Sequence, residues 1–161
     1  MEKEEEFTDL IKEHEGIIFK ITTMYTTYQQ DQQDLYQEIV YQLWKSFDSF
    51  RNESKRTTWM YRVAMNTALT HSKRKKRSLE MVPIEKVVVN ELDSGNKELE
   101  ERIRLLYKHI HTLDILEKGL MLLLLEGKKY DEIADITGLS TSNVGTRISR
   151  IKKKLQLKIK P

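Results

Sequence analysis

The chain has 161 residues, with 28 Lys and Arg against 25 Asp and Glu for a net charge of +3, a length that admits one domain or two small ones and excludes a large enzyme fold. Cysteine is absent, which removes disulfides, thiolate metal sites and cysteine nucleophiles and fits a reducing compartment. The longest apolar run, Leu120–Leu125, is far shorter than the roughly 20 residues a membrane span needs, and the acidic start Met1–Glu6 has the wrong charge for a signal peptide. We expect a cytoplasmic protein without membrane insertion. Only 6 Gly and 2 Pro punctuate the sequence, and apolar residues recur at helical spacing, so the expected fold class is all-α.

The first lobe, residues 1–77, carries 13 basic and 12 acidic side chains. Helices are expected at about 7–14, 16–28, 31–47 and 57–76. In the third, Leu35, Ile39 and Leu43 recur every four residues, Tyr36, Val40, Trp44 and Phe47 widen the stripe, and Asp31 is a plausible N-cap. Asp34, Gln37, Glu38 and Gln42 flank that stripe and give an acidic, hydrogen-bonding surface. In the fourth, Trp59, Met60, Val63 and Ala64 share one side, while Thr58, Arg62 and Asn66 line another at a spacing of four. A polar stripe beside the aromatics Trp59 and Tyr61 suits single-stranded DNA, which needs cations for phosphate and surfaces for unstacked bases. Lys73-Arg74-Lys75-Lys76-Arg77 closes the helix with a cationic run suited to phosphates.

Residues 78–101 reverse the balance, with 2 basic and 7 acidic side chains. Pro83, Gly95 and the stretch Asn90–Asn96 place turn residues and acid together, which marks 78–96 as a flexible acidic linker. Val87-Val88-Val89 reads as a short strand or as extended chain lying on a partner.

The second lobe, 97–161, opens helices at about 97–112, 115–126, 130–137 and 140–157, and residues 102–161 hold 13 basic and 6 acidic side chains. Gly127 stands where a left-handed residue stops the second helix. Residues Tyr130–Val144 read as a helix-turn-helix: Ala134 is small enough for the helix crossing, Gly138 supplies a positive φ at the turn, and Val144 anchors the second helix. Ser140 can cap that helix, and Val144, Ile148, Ile151 and Leu155 cluster on one side at about 100° per residue. Ser142, Asn143, Thr146, Arg147 and Arg150 fall opposite, short hydrogen-bonding groups first and arginines further along, the equipment for base edges and phosphates in a major groove. From Arg147 to Pro161 there are seven basic residues and no acid, and Lys152, Lys153 and Lys154 among them favour polyanion contact.

Over nearly its whole length the chain resembles the small, extracytoplasmic-function type of bacterial RNA polymerase sigma factor. The residues that carry the resemblance are Asp34–Trp44, Phe47–Ser54, Thr58–Leu69 and the helix-turn-helix. It implies two small helical domains, sigma region 2 in residues 1–77 and sigma region 4 in 97–161, joined by the flexible linker 78–96. It also implies that core RNA polymerase docks on Asp34, Gln37, Glu38 and Trp44. The melted minus-10 element of promoter DNA would be read by Asn52, Ser54, Lys55, Thr57, Thr58, Arg62 and Asn66, with Lys73, Arg74, Lys76, Arg77, Lys152, Lys153 and Lys154 on phosphates. The minus-35 element would fall to Ser142, Asn143, Thr146, Arg147 and Arg150. An anti-sigma factor is a further partner that the resemblance brings into view. Two departures stand out: Arg56 replaces a usual aromatic, and Gly145 stands where many members have a basic residue.

No enzyme is expected, and no cofactor or metal. His109 and His111 point to different helix faces, His14 and His71 lack partners at ligand spacing, and no glycine-rich phosphate loop is present. The rival function is a stand-alone helix-turn-helix regulator that needs no core polymerase, a class with no reason to carry the 31–66 stretch.

Overall fold

The structure, a computed structural model, describes residues 2–50, 55–76 and 96–159. Among them lie eight α-helices, a short 3-10 turn and no strand. The chain divides into two compact units, built mainly on α1–α4 and on α5–α8.

In the first unit α1 spans Lys3–Glu13, α2 Glu15–Tyr25, α3 Gln29–Ser46 and α4 Arg56–Lys76, with a 3-10 turn at Phe47–Ser49. The first helix starts four residues earlier than its apolar pattern indicates. Glu4, Glu5 and Glu6 fill its first turn, where carboxylates complement the positive end of the helix dipole. The core draws Phe7 and Leu10 from α1 and Ile18, Ile21 and Met24 from α2. These meet the fully buried Leu35, Ile39 and Leu43 of α3 and Met60, Ala64 and Ala68 of α4. The small alanines let α4 approach α3, its principal partner, closely. At one end of α3 an aromatic cluster closes the unit: Phe7 meets Trp44 and Phe47 edge-on at 5.0 and 5.4 Å, and Phe50 lies 5.0 Å from Trp59.

Asp31 does not cap α3. The helix begins at Gln29 behind Tyr28, which makes no side-chain cap. Asp31 sits inside the first turn, where its carboxylate reaches Lys75 of α4 at 2.6 Å. A cross-helix cation has taken the place of the backbone donor that the sequence led us to expect.

In the second unit α5 spans Lys97–Ile110, α6 Ile115–Leu125, α7 Tyr130–Thr137 and α8 Thr141–Ile159. Asn96 caps α5 by accepting from the Leu99 amide. Asp114 and Glu117 form a reciprocal capping box at the start of α6, at 2.8 and 3.3 Å. α6 ends as expected at Gly127, with φ of +81°, where the amides of Gly127 and Lys128 donate back to Leu124 and Leu123. Gly138 repeats that φ in the turn between α7 and α8, and Ser140 Oγ accepts from the Asn143 amide. Val144, Ile148, Ile151 and Leu155 of α8 are buried beside Ile110 of α5 and Leu120 and Leu123 of α6. Except for Asn96, the linker 78–96, including the Val87–Val89 stretch, lies outside the described residues.

Candidate nucleic-acid and polymerase interfaces

The helix-turn-helix is built by backbone chemistry. A positive φ at Gly138 turns the chain within three residues, Ser140 starts the second helix, and the buried Val144–Leu155 stripe fixes which side of α8 faces outward. On that side Thr141, Ser142, Gly145, Thr146, Ser149, Arg150 and Lys153 line a shallow groove of about 540 Å³. The expected base-reading residues divide between two positions. Ser142, Thr146 and Arg150 share the groove, whereas Asn143 and Arg147 stand on its flank, joined by a 3.1 Å bond from Arg147 Nε to Asn143 Oδ1. Gly145, noted above as a departure, lies in the lining between Thr141 and Ser149, which the motif did not single out; the spacing of four was the available signal.

The lysines that follow differ in the same way. Lys153 lies in the groove and Lys152 is exposed, but Lys154 turns to the capping box and meets Glu117 at 2.9 Å. Nearby, burial, with the Lys118 ammonium adding to it, pushes the His111 imidazole down to about 4.

On α4 the exposed polar row runs Arg62, Asn66, Thr70 and Lys73, residues three and four apart. Lys55 is exposed just before the helix and Thr57 is half-buried, while Thr58 is buried. Trp59 and Tyr61 are buried too, Trp59 beneath Phe50 and Phe47, so the two aromatics are packed within the protein and offer no free stacking surface. The helical period put Thr58 and Tyr61 near the polar edge, but packing covers them both. Thr70 was missed because its spacing continues a stripe that the sequence reading ended at Asn66. Asn52, Ser54 and Arg77 lie outside the described residues, as does the side chain of Lys76.

The expected docking residues on α3 also divide. Asp34 and Gln37 are exposed, in line with Tyr41, which is 56% exposed. Trp44 is half-buried, its ring against Phe7 and beneath the Lys3 ammonium at 4.3 Å. Glu38 leans the other way, its carboxylate 3.6 Å from His71 Nδ1 and 3.8 Å from Arg74. Phe7, Tyr36, Gln37, Val40, Tyr41 and Trp44 border a shallow, mostly apolar groove of about 430 Å³.

Residues 10–78 match the family Sigma-70 region 2, and residues 104–155 match Sigma-70, region 4, so that between them the two models cover most of the chain in order. The chain belongs to the sigma-70 family of sigma factors. The ECF RNA polymerase sigma-E factor of Haemophilus influenzae is 29% identical over 167 residues, spanning 96% of this chain and 88% of that protein. The sigma-E factor of Escherichia coli K12 is 29% identical over 143 residues, spanning 81% and 75%. Two solved structures share the fold. The sigma factor RpoE bound to the anti-sigma factor NepR, from Bartonella quintana, has a TM-score of 0.71 at 18% identity, over 97% of this chain and 99% of that one. CnrH in complex with the cytosolic domain of CnrY has a TM-score of 0.61 at 21% identity, over 96% and 88%. As a sigma factor this chain binds core RNA polymerase and confers promoter specificity. Among the described residues no helix is long and apolar enough to cross a membrane.

Proposed function

We propose that the two units divide promoter recognition between them. The first, residues 1–77, engages core polymerase and the melted minus-10 strand; the second, 97–161, reads the minus-35 duplex; and 78–96 tethers them. The observation that carries this reading is the difference between two exposed polar rows. The α8 groove sets hydroxyls ahead of Arg150 and Lys153 along a helix aimed outward by its turn, a shape suited to a major groove. The α4 row of Arg62, Asn66, Thr70 and Lys73 supplies cations for a backbone and an amide for one unstacked base edge.

On α3, Asp34, Gln37 and Tyr41 form the surface for the polymerase clamp, with Trp44 shaping its edge. Glu38 serves this surface from its rim, because its carboxylate faces the cations of α4. An anti-sigma factor is the further partner, since a sigma factor of the same fold is seen with an anti-sigma factor bound. The factor acts in the cytoplasm, where its polymerase works, and it performs no catalysis of its own.

Mobility shifts test this division. With core polymerase present, the chain should retard a promoter duplex strongly, and substituting Arg150 should weaken retention of a fragment ending upstream of minus 10. Equal retardation by the chain alone would favour the stand-alone regulator.

A further inference from the structure

Gly145 lies in the middle of the outward groove of α8, a helix that passes through it without the positive φ that would demand glycine. Glycine is the poorest helix former short of proline, and in the second turn of α8 its missing side chain leaves a neighbouring aromatic ring uncovered. A Cβ built at position 145 would rest 3.5 and 3.6 Å from Cε2 and Cδ2 of Tyr130, the first residue of α7. Those are ordinary contact distances, so the phenol ring flanks the place a side chain at 145 would occupy, with room for a methyl between.

Tyr130 remains 36% exposed. Its ring therefore adds an apolar, aromatic surface to the edge of a groove otherwise made of hydroxyls, Arg150 and Lys153. In a major groove the one apolar group of any bulk on a base edge is the 5-methyl of thymine. We infer that Tyr130 is a further specificity-determining residue of this sigma factor: flanking Gly145, it borders the space left by the missing side chain there and contacts a thymine methyl in the upstream duplex. The inference rests on the assignment of α8 to the minus-35 element. It goes further by exchanging a contact from the recognition helix itself for one from the helix before it. In place of the basic residue that many members carry there, position 145 leaves a surface for thymine.

The test is a methyl scan. Holoenzyme assembled from a bacterial core polymerase and the full chain is first used to select its preferred upstream element. Each thymine in that element is then replaced singly by uracil, which removes only the 5-methyl group. Wild type should lose about three- to fivefold in affinity at one thymine, the worth of one buried methyl. Tyr130→Phe and Gly145→Ala should keep that sensitivity, and Tyr130→Ala should lose it while retaining its cooperative melt. If wild type binds the element but is indifferent to every uracil, the inference is overturned. The same follows if Tyr130→Ala keeps the full methyl effect, or if Tyr130→Phe weakens all sequences equally, as loss of a phosphate contact from the hydroxyl would. Holoenzyme that selects no upstream sequence at all would instead overturn the assignment of α8.

Discussion

Lys75 Nζ lies 2.6 Å from Asp31 Oδ1, joining the last turn of α4 to the first turn of α3. Two turns further along α3, Glu38 faces His71 and Arg74, so an acidic edge of α3 is tied to the basic end of α4. In the assignment above these helices meet different partners, and the ion pairs join them beside their packed faces. Asp31 is well shielded, its side chain 17% exposed, whereas that of Lys75 is 41% exposed, so the pair belongs toward the upper end of the range for surface ion pairs.

Asp31→Asn should therefore lower the stability of the first unit by about 0.5–1 kcal/mol. The only two tryptophans, Trp44 and Trp59, are both in that unit, so urea titration followed by tryptophan fluorescence reads it selectively. The swap Asp31→Lys with Lys75→Asp should recover much of the loss caused by either single reversal. A double variant as unstable as the sum of the singles would show that the contact contributes nothing.

Most of this architecture was legible in the sequence because it rests on local rules. The Leu35–Ile39–Leu43 and Val144–Ile148–Ile151–Leu155 stripes, the turn glycines 127 and 138 and the Ser140 cap each follow from spacing or from one residue's conformational freedom. What stayed hidden depends on which residues meet across helices. Asp31 looked like a cap because its partner stands 44 positions away at Lys75. Glu38 and Lys154 looked like free partner contacts, yet each is drawn to a group on another helix. Tyr61 and Thr58 looked available until packing covered them, and no periodicity within α8 announces that Tyr130 of α7 flanks Gly145.

The lysines after the recognition helix should separate in salt titrations. Lys153 lines the groove, so Lys153→Ala should weaken binding to all upstream sequences alike and flatten the slope of log affinity against log salt by about one. Lys154 is held by Glu117, and Lys154→Ala should change that slope much less. Equal slopes for the two variants would contradict the geometry.

The second unit should weaken in mild acid through His111. Its folded pKa is about 4, below the unfolded 6.5, so the unfolded chain binds the extra proton first and stability falls as pH drops from about 6.5 toward 4. Near pH 5.5 the loss is about 1 kcal/mol, and none should be seen above pH 7. Thermal melts by circular dichroism across that window, compared with His111→Gln, isolate the contribution. An identical pH slope in the variant would assign it elsewhere.

On the first unit, Asn66→Ala and Arg62→Ala should leave upstream duplex binding by holoenzyme within about twofold while reducing strand opening by tenfold or more, about 1.4 kcal/mol. The Asn66 side chain stands on the exposed row of α4, apart from the buried core, so Asn66→Ala should melt like wild type. Parallel loss of duplex binding and opening would place them in a different role.

The most direct test is permanganate footprinting of a selected promoter with core polymerase alone, with the chain alone and with both. Reactive thymines around minus 10 should appear only when both are present, and Asn66→Ala should diminish them while protection of the upstream duplex persists. If no thymine becomes reactive with both present, and protection is confined to closed duplex that the chain binds equally well by itself, the chain does not open promoters and the account is contradicted.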